Sequence, residues 1–157
     1  MKNYMKLGIE EANKTMNEGI GGPFGAVIVK NDEIIAVASN TVLRDNDPTA
    51  HAEINAIRLA GKKLGTYDLT GCDLYATGYP CPMCLSAIIW ANISKVYFGC
   101  NPRDAENIGF RDDFIYDFIK NLREGKSDKN LVDLQELDRA DCLQLFESYV
   151  ANNKVIY

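Results

Sequence analysis

The chain has 157 residues, 46% of them apolar and 25% charged, with a formal net charge of −5. That is enough for one domain with a proper core, and no apolar run approaches the ~20 residues of a membrane span. The acidic balance argues against a nucleic-acid partner, because phosphate contacts need a basic surface.

Met5, Ile9, Ala12 and Met16 fall at helical spacing and predict an amphipathic helix over 2–18. The start of the chain lacks the apolar core of a secretory signal. Residues 19–25, Gly-Ile-Gly-Gly-Pro-Phe-Gly, break the helix as a plain turn or as the lining of a pocket; their order fits no phosphate-binding loop. Two apolar runs, 26–29 and 34–38, flank Asn31-Asp32 and predict an antiparallel hairpin in a sheet covered on both faces. Residues 40–47 are polar and loop-like. Asp47 with Pro48 predicts a helix start, and that helix runs to about Leu64, with Ile54, Ile57, Leu59, Ala60 and Leu64 as its apolar part. Strands are expected at 73–77 and 95–99, with a helix from Cys81 to about Ala91 between them. Strand-helix-strand order implies parallel pairing by a right-handed crossover. Residues 101–113 read as a loop, 114–123 as a short helix, 124–130 as a charged mobile stretch and 138–151 as a last amphipathic helix. The expected fold class is α/β: a three-layer α/β/α sandwich around a mixed central sheet, in a single domain over 1–157.

The chemistry concentrates between Asp47 and Cys84. His51 is the single histidine, and Cys81 and Cys84 form a CxxC pair after Pro80. One imidazole nitrogen and two thiolates make three protein ligands for a tetrahedral Zn²⁺ with one open position, the pattern of a catalytic rather than a structural site. A CxxC alone is equally a redox pair or part of a structural zinc site, and a lone histidine is usually just packed; the conjunction favours catalytic zinc, one ion per chain. Glu53 is placed as the proton carrier. It stands two residues from His51, about 200° round a regular helix, so the two share a site only where the chain has just entered the helix. A helix N-terminus at Cys81 would also favour thiolate. H-x-E followed by P-C-x-x-C is the signature of zinc-dependent nucleobase deaminases. The odd cysteine count and the metal-type pair favour a reducing cytoplasm over a disulfide framework; Cys72, Cys100 and Cys142 read as buried thiols acting as small hydrophobes.

Four blocks, GIGGPFGAVIVK (19–30), NDPTAHAEINAIR (46–58), PCPMCLSAIIWA (80–91) and GFRDDFIY (109–116), together with the terminal tyrosine, resemble the cytidine/deoxycytidylate deaminase superfamily, and within it the small bacterial guanine deaminases. The resemblance implies a cytidine deaminase-like fold and hydrolysis of guanine to xanthine and ammonia. It implies that His51, Cys81 and Cys84 hold zinc and that Glu53 and Asp112 carry protons. Phe24, Asn40, the backbone at Ala52, Trp90 and Tyr157 would bind the base. It further implies a homodimer in which the C-terminal segment, about 138–157, is exchanged so that it closes the partner's site. One position departs: Tyr79 stands where the family usually has glutamate, which removes a carboxylate beside the zinc loop. Residues 117–137 match poorly. The competing readings are deamination of another small amino-heterocycle (cytosine, isocytosine or an amino-triazine), deamination of adenosine in tRNA, and a catalytically dead zinc-stabilised module. Glu53 speaks against the last, since a dead module has no use for it.

Overall fold

In the computed structural model, which describes residues 3–157, the side chain of Asn3 accepts the backbone N–H of Lys6 and caps helix α1 (Tyr4–Asn17). Strands β1 (Gly25–Lys30) and β2 (Glu33–Ser39) form the expected antiparallel hairpin. Asn31 and Asp32 both turn with positive φ, 49° and 60°, the conformation that matches a two-residue turn to the twist of its strands. Strand β3 (Cys72–Gly78) pairs antiparallel with β1, and β4 (Lys95–Cys100) pairs parallel with β3. The sheet order is β2-β1-β3-β4. The parallel pair is joined through helix α4 (Pro82–Trp90), as the crossover rule requires.

Alternate residues of the strands serve different layers. Ala26 and Ile28 of β1 and Cys72, Leu74 and Ala76 of β3 enter one core with Ala52, Ala56 and Ala60 of helix α3 (Ala52–Leu64) and Ile88 of α4. The opposite face takes α1: Gly8 lies against Val27 and Thr77, and the Tyr4 ring meets Tyr75 at 5.1 Å. α1 crosses β1 at backbone contact, since a Cβ on Gly25 would lie 2.0 Å from the Gly8 carbonyl oxygen. The result is the α/β fold with helices on both faces of a mixed sheet.

Several expectations need correcting. α3 begins at Ala52 with His51 as its N-cap, not at Pro48. Asp47 spends its carboxylate locally, accepting from the N–H and hydroxyl of Thr49 at 2.8 and 2.7 Å, so it closes a turn and caps nothing. The seat of α3 is the alanine stripe; Ile57 and Leu64 sit at the core margin and Leu59 is 49% exposed. The stretch 40–47 contains a short helix, α2 (Val42–Asp45). The presumed loop at 101–113 contains α5 (Pro102–Asn107), which opens with a reciprocal capping box between Asn101 and Asp104. β4 is an exposed edge rather than a strand covered on both faces.

The chain divides into two compact units, one ending at Tyr116 and one over Asp117–Tyr157, with α6 (Asp113–Arg123) spanning the division. The second unit carries α7 (Arg139–Ala151). On α7, Leu145, Phe146, Tyr149 and Val150 line an open apolar hollow. The Tyr149 hydroxyl donates to the Val155 carbonyl in the tail. No helix among the described residues is long and apolar enough to cross a membrane.

Candidate active site

Two helix starts build the centre. His51 occupies the N-cap position of α3 and Cys81 that of α4, both in extended backbone conformation with ψ of 157° and 170° and neither with a capping side-chain hydrogen bond. This resolves the spacing problem of His51 and Glu53: the histidine is not yet in the helix, so the 200° of a regular turn does not separate them. Cys84 follows in the first turn of α4, after Pro82. The His51 Nδ1 lies 3.6 Å from Sγ of Cys81 and 3.6 Å from Sγ of Cys84, and all three ligand atoms lie within 4.8 Å of one another. Zinc–nitrogen and zinc–sulfur bonds of about 2.0 and 2.3 Å at a tetrahedral angle separate the donors by roughly 3.5 Å. The three side chains therefore fit zinc as they stand.

The electrostatics agree. The Cys81 thiol is pulled down to about 4, first by its hydrogen bond with Cys84 and then by His51. The same bond, with burial and the charge of Glu53, pushes Cys84 up, and the bond to Cys81 raises His51. The group concentrates negative charge and shares protons that a dication would displace. Glu53 is buried beside it. Burial raises its carboxyl above the ordinary range, and the Cys81 charge adds to the effect, the kind of perturbation found at acids that transfer protons.

Around this centre, Asp112 and Asp113 part company. Asp113 pairs with the Arg111 guanidinium at 2.7 Å, which holds its carboxyl low. Asp112 is partly buried; desolvation and then the Cys81 charge raise it. Asp112 is thus the acid of this pair that senses the metal group. The Phe24 ring meets Phe110 edge-on at 5.0 Å. Asn40 is buried, and its side-chain oxygen accepts the N–H groups of Gly22 and Val42, each at 3.2 Å. Ala52 is the first residue of α3, where backbone N–H groups have no partner inside the helix.

Comparison with known proteins accords with this geometry. Residues 1–100 match the cytidine and deoxycytidylate deaminase zinc-binding region. The chain belongs to the cytidine and deoxycytidylate deaminase family. Within it, a guanine deaminase of Bacillus subtilis is 49% identical over 124 residues, covering 79% of this chain and 80% of that protein. The X-ray structure of guanine deaminase from Bacillus subtilis superposes with a TM-score of 0.87 at 41% identity, covering 100% of this chain and 98% of that one. A tRNA-specific adenosine deaminase of Aquifex aeolicus is 45% identical over 95 residues, 60% of this chain and 62% of that protein.

Two of the base-pocket residues expected for this deaminase family, Trp90 and Tyr157, are exposed in the single chain. Trp90 ends α4, about 9 Å along the helix from Cys84, and is 72% exposed. Tyr157 belongs to the second unit and is 79% exposed. Tyr79, where the family pattern departs, sets its ring edge-on against Phe98 of β4 at 5.0 Å, an apolar contact in the place of a carboxylate. Three residues near the deaminase centre were not singled out from sequence. Phe110 and Tyr116 lie inside the GFRDDFIY block. Tyr116 lies in the first turn of α6 just after Asp112, and burial, then the charges of Asp112 and Cys81, raise its phenol. Asn55 lies inside the zinc block and carried no signal of its own.

Proposed function

We propose that the chain is a zinc-dependent guanine aminohydrolase that converts free guanine and water to xanthine and ammonia. The observation that carries the reading is a buried glutamate beside a three-ligand metal group, on a chain whose likeness to guanine deaminase extends over its full length. The tRNA-specific adenosine deaminases that match along nearly the whole chain are 32% and 36% identical to it, below the 49% of the guanine deaminase, and the net charge of −5 opposes an RNA substrate.

His51, Cys81 and Cys84 hold the zinc, which supplies the Lewis acidity that makes water a nucleophile at neutral pH. Glu53 accepts a proton from the attacking water and delivers it to a ring nitrogen of the base. Oxygen bonds to C2, the C2–N bond breaks, and the departing nitrogen takes a second proton, which Asp112 helps to pass. Phe24 lies against the base. Asn40 and the backbone N–H of Ala52 bind its acceptors. The active form is a homodimer in which the C-terminal segment crosses over, so that Tyr157 closes the partner's site near Trp90. The five free thiols suit a reducing cytoplasm.

Ammonia release from a panel of guanine, adenine, cytosine, isocytosine and an amino-triazine tests the substrate. Guanine is expected to be turned over fastest. Faster release from cytosine or the triazine overturns guanine and makes Tyr79 the first position to revert to glutamate.

A further inference from the structure

The centre leaves the half-buried Asn55 of α3, one turn beyond His51, unused. Its amide nitrogen donates to the Ser39 carbonyl and the Thr41 hydroxyl oxygen, both at 2.9 Å, and at a longer 3.4 Å to the Ala50 carbonyl. The first two acceptors bracket Asn40; the third is the residue before His51. The Thr41 hydroxyl spends its own proton on Asp45 at 2.6 Å, so a lone pair faces Asn55. The Thr41 N–H donates to the Ala50 carbonyl at 3.0 Å. One side chain therefore ties the end of β2 to the start of α3.

Asn40 is held on its other sides too. Its N–H donates to the Phe24 carbonyl at 2.9 Å. A Cβ on Gly21 would lie 2.1 Å from the Asn40 carbonyl oxygen, so the glycine turn presses directly on it. Two backbone N–H groups claim the side-chain oxygen, which fixes the amide's orientation. Its Nδ2 has no partner among the described residues, yet no buried side-chain nitrogen or oxygen among them lacks one. That nitrogen is therefore reached by solvent and free to donate to a ligand.

We infer that Asn55 is a positioning residue for substrate binding: it locks the backbone on both sides of Asn40 to the helix carrying His51 and Glu53, and so sets the distance between the base-binding amide and the metal group. The inference rests on Asn40 as a substrate ligand. Aspartate has nearly the shape of asparagine but would set acceptor lone pairs against three oxygens; leucine keeps the volume and removes the donors.

The test uses the zinc-loaded protein and the variants Asn55→Leu, Asn55→Asp and Asn40→Ala, alone and with Asn55→Leu added to Asn40→Ala. It reads zinc per chain, KM and kcat for guanine, and calorimetric binding of 8-azaguanine. Asn55→Leu is expected to keep its zinc, with KM raised and 8-azaguanine binding weakened about tenfold, the scale of one lost orienting hydrogen bond, and with kcat changed less. Added to Asn40→Ala it should cost little more, because it acts through Asn40. A merely structural role would lower zinc content and kcat together and leave KM alone. Should leucine prevent folding, Asn55→Ser keeps a donor too short to reach and carries the same comparison. Unchanged KM and binding, or a full-size effect without Asn40, overturns the inference. A parent that binds 8-azaguanine but releases no ammonia from guanine overturns the proposed activity alone, and a parent that does neither overturns both.

Discussion

Glu53 is the residue on which the proposed chemistry turns. It is buried beside two sulfurs and an imidazole, and it must carry protons in both directions. Glu53→Gln preserves shape and hydrogen-bonding capacity but not the exchangeable proton. The expected outcome is a folded protein with its zinc retained and turnover lower by about 10²–10⁴ or more, the usual weight of general acid–base catalysis. Metal analysis and an ammonia assay on the same sample check it, and activity within about tenfold of the parent removes Glu53 from this role. At this scale the sequence is most readable where chemistry depends on residue type: a lone histidine, a CxxC pair and a glutamate at close spacing have few other joint uses. Asn55 and Phe110 escape such reading. Asparagine and phenylalanine have many roles, and theirs arise only when β2 and α3 close on each other and when Phe110 meets Phe24.

At the scale of elements, periodicity locates the strands and long helices, while their boundaries and seats follow from contacts it does not encode. Asp47-Pro48 has the composition of a helix start, but the Asp47 carboxylate is captured by Thr49, and entry passes to His51. That shift leaves His51 at the helix mouth, where the proposed metal group needs it. The seat of α3 was likewise hidden. Large side chains at 54, 57, 59 and 64 suggest the buried face, yet Ala52, Ala56 and Ala60 occupy it at 0% exposure, letting the helix lie close to the sheet. A pair of substitutions separates the two assignments. Ala56→Leu forces bulk between helix and sheet and is expected to cost about 1–3 kcal/mol, seen as a fall in Tm of about 2–4 °C per kcal/mol. Leu59→Ala, at an exposed position, is expected to stay within about 0.5 kcal/mol. If Leu59→Ala proves the more destabilising, the alanine stripe is not the seat.

At the scale of the molecule, a single chain leaves much apolar surface in water. In the first unit Ile89 and Trp90 are exposed on α4, as are Tyr97 and Phe98 on the edge strand β4; in the second, Leu145, Phe146, Val150, Val155 and Ile156 are exposed. Apolar patches of this kind mark an interface, and an unpaired strand edge invites cover. Exchange of identical segments between two copies is a low-cost way to cover both. If the proposed exchange holds, removing Val155–Tyr157 is expected to leave a folded, zinc-loaded protein with strongly reduced deaminase activity, since the partner's site would lose its closing residue. Co-expression with the Glu53→Gln chain is the discriminating measurement. In the mixed dimer, the truncated chain contributes an intact metal centre and the Glu53→Gln chain contributes an intact tail, so one site per mixed dimer recovers. With random pairing that amounts to about a quarter of the parental sites. The two chains must be made together so that they fold around each other. Full activity of the truncated chain alone removes the tail from the site. Inactivity with no recovery on co-expression means that each tail closes the site of its own subunit, and the exchange is then wrong even though the tail is needed.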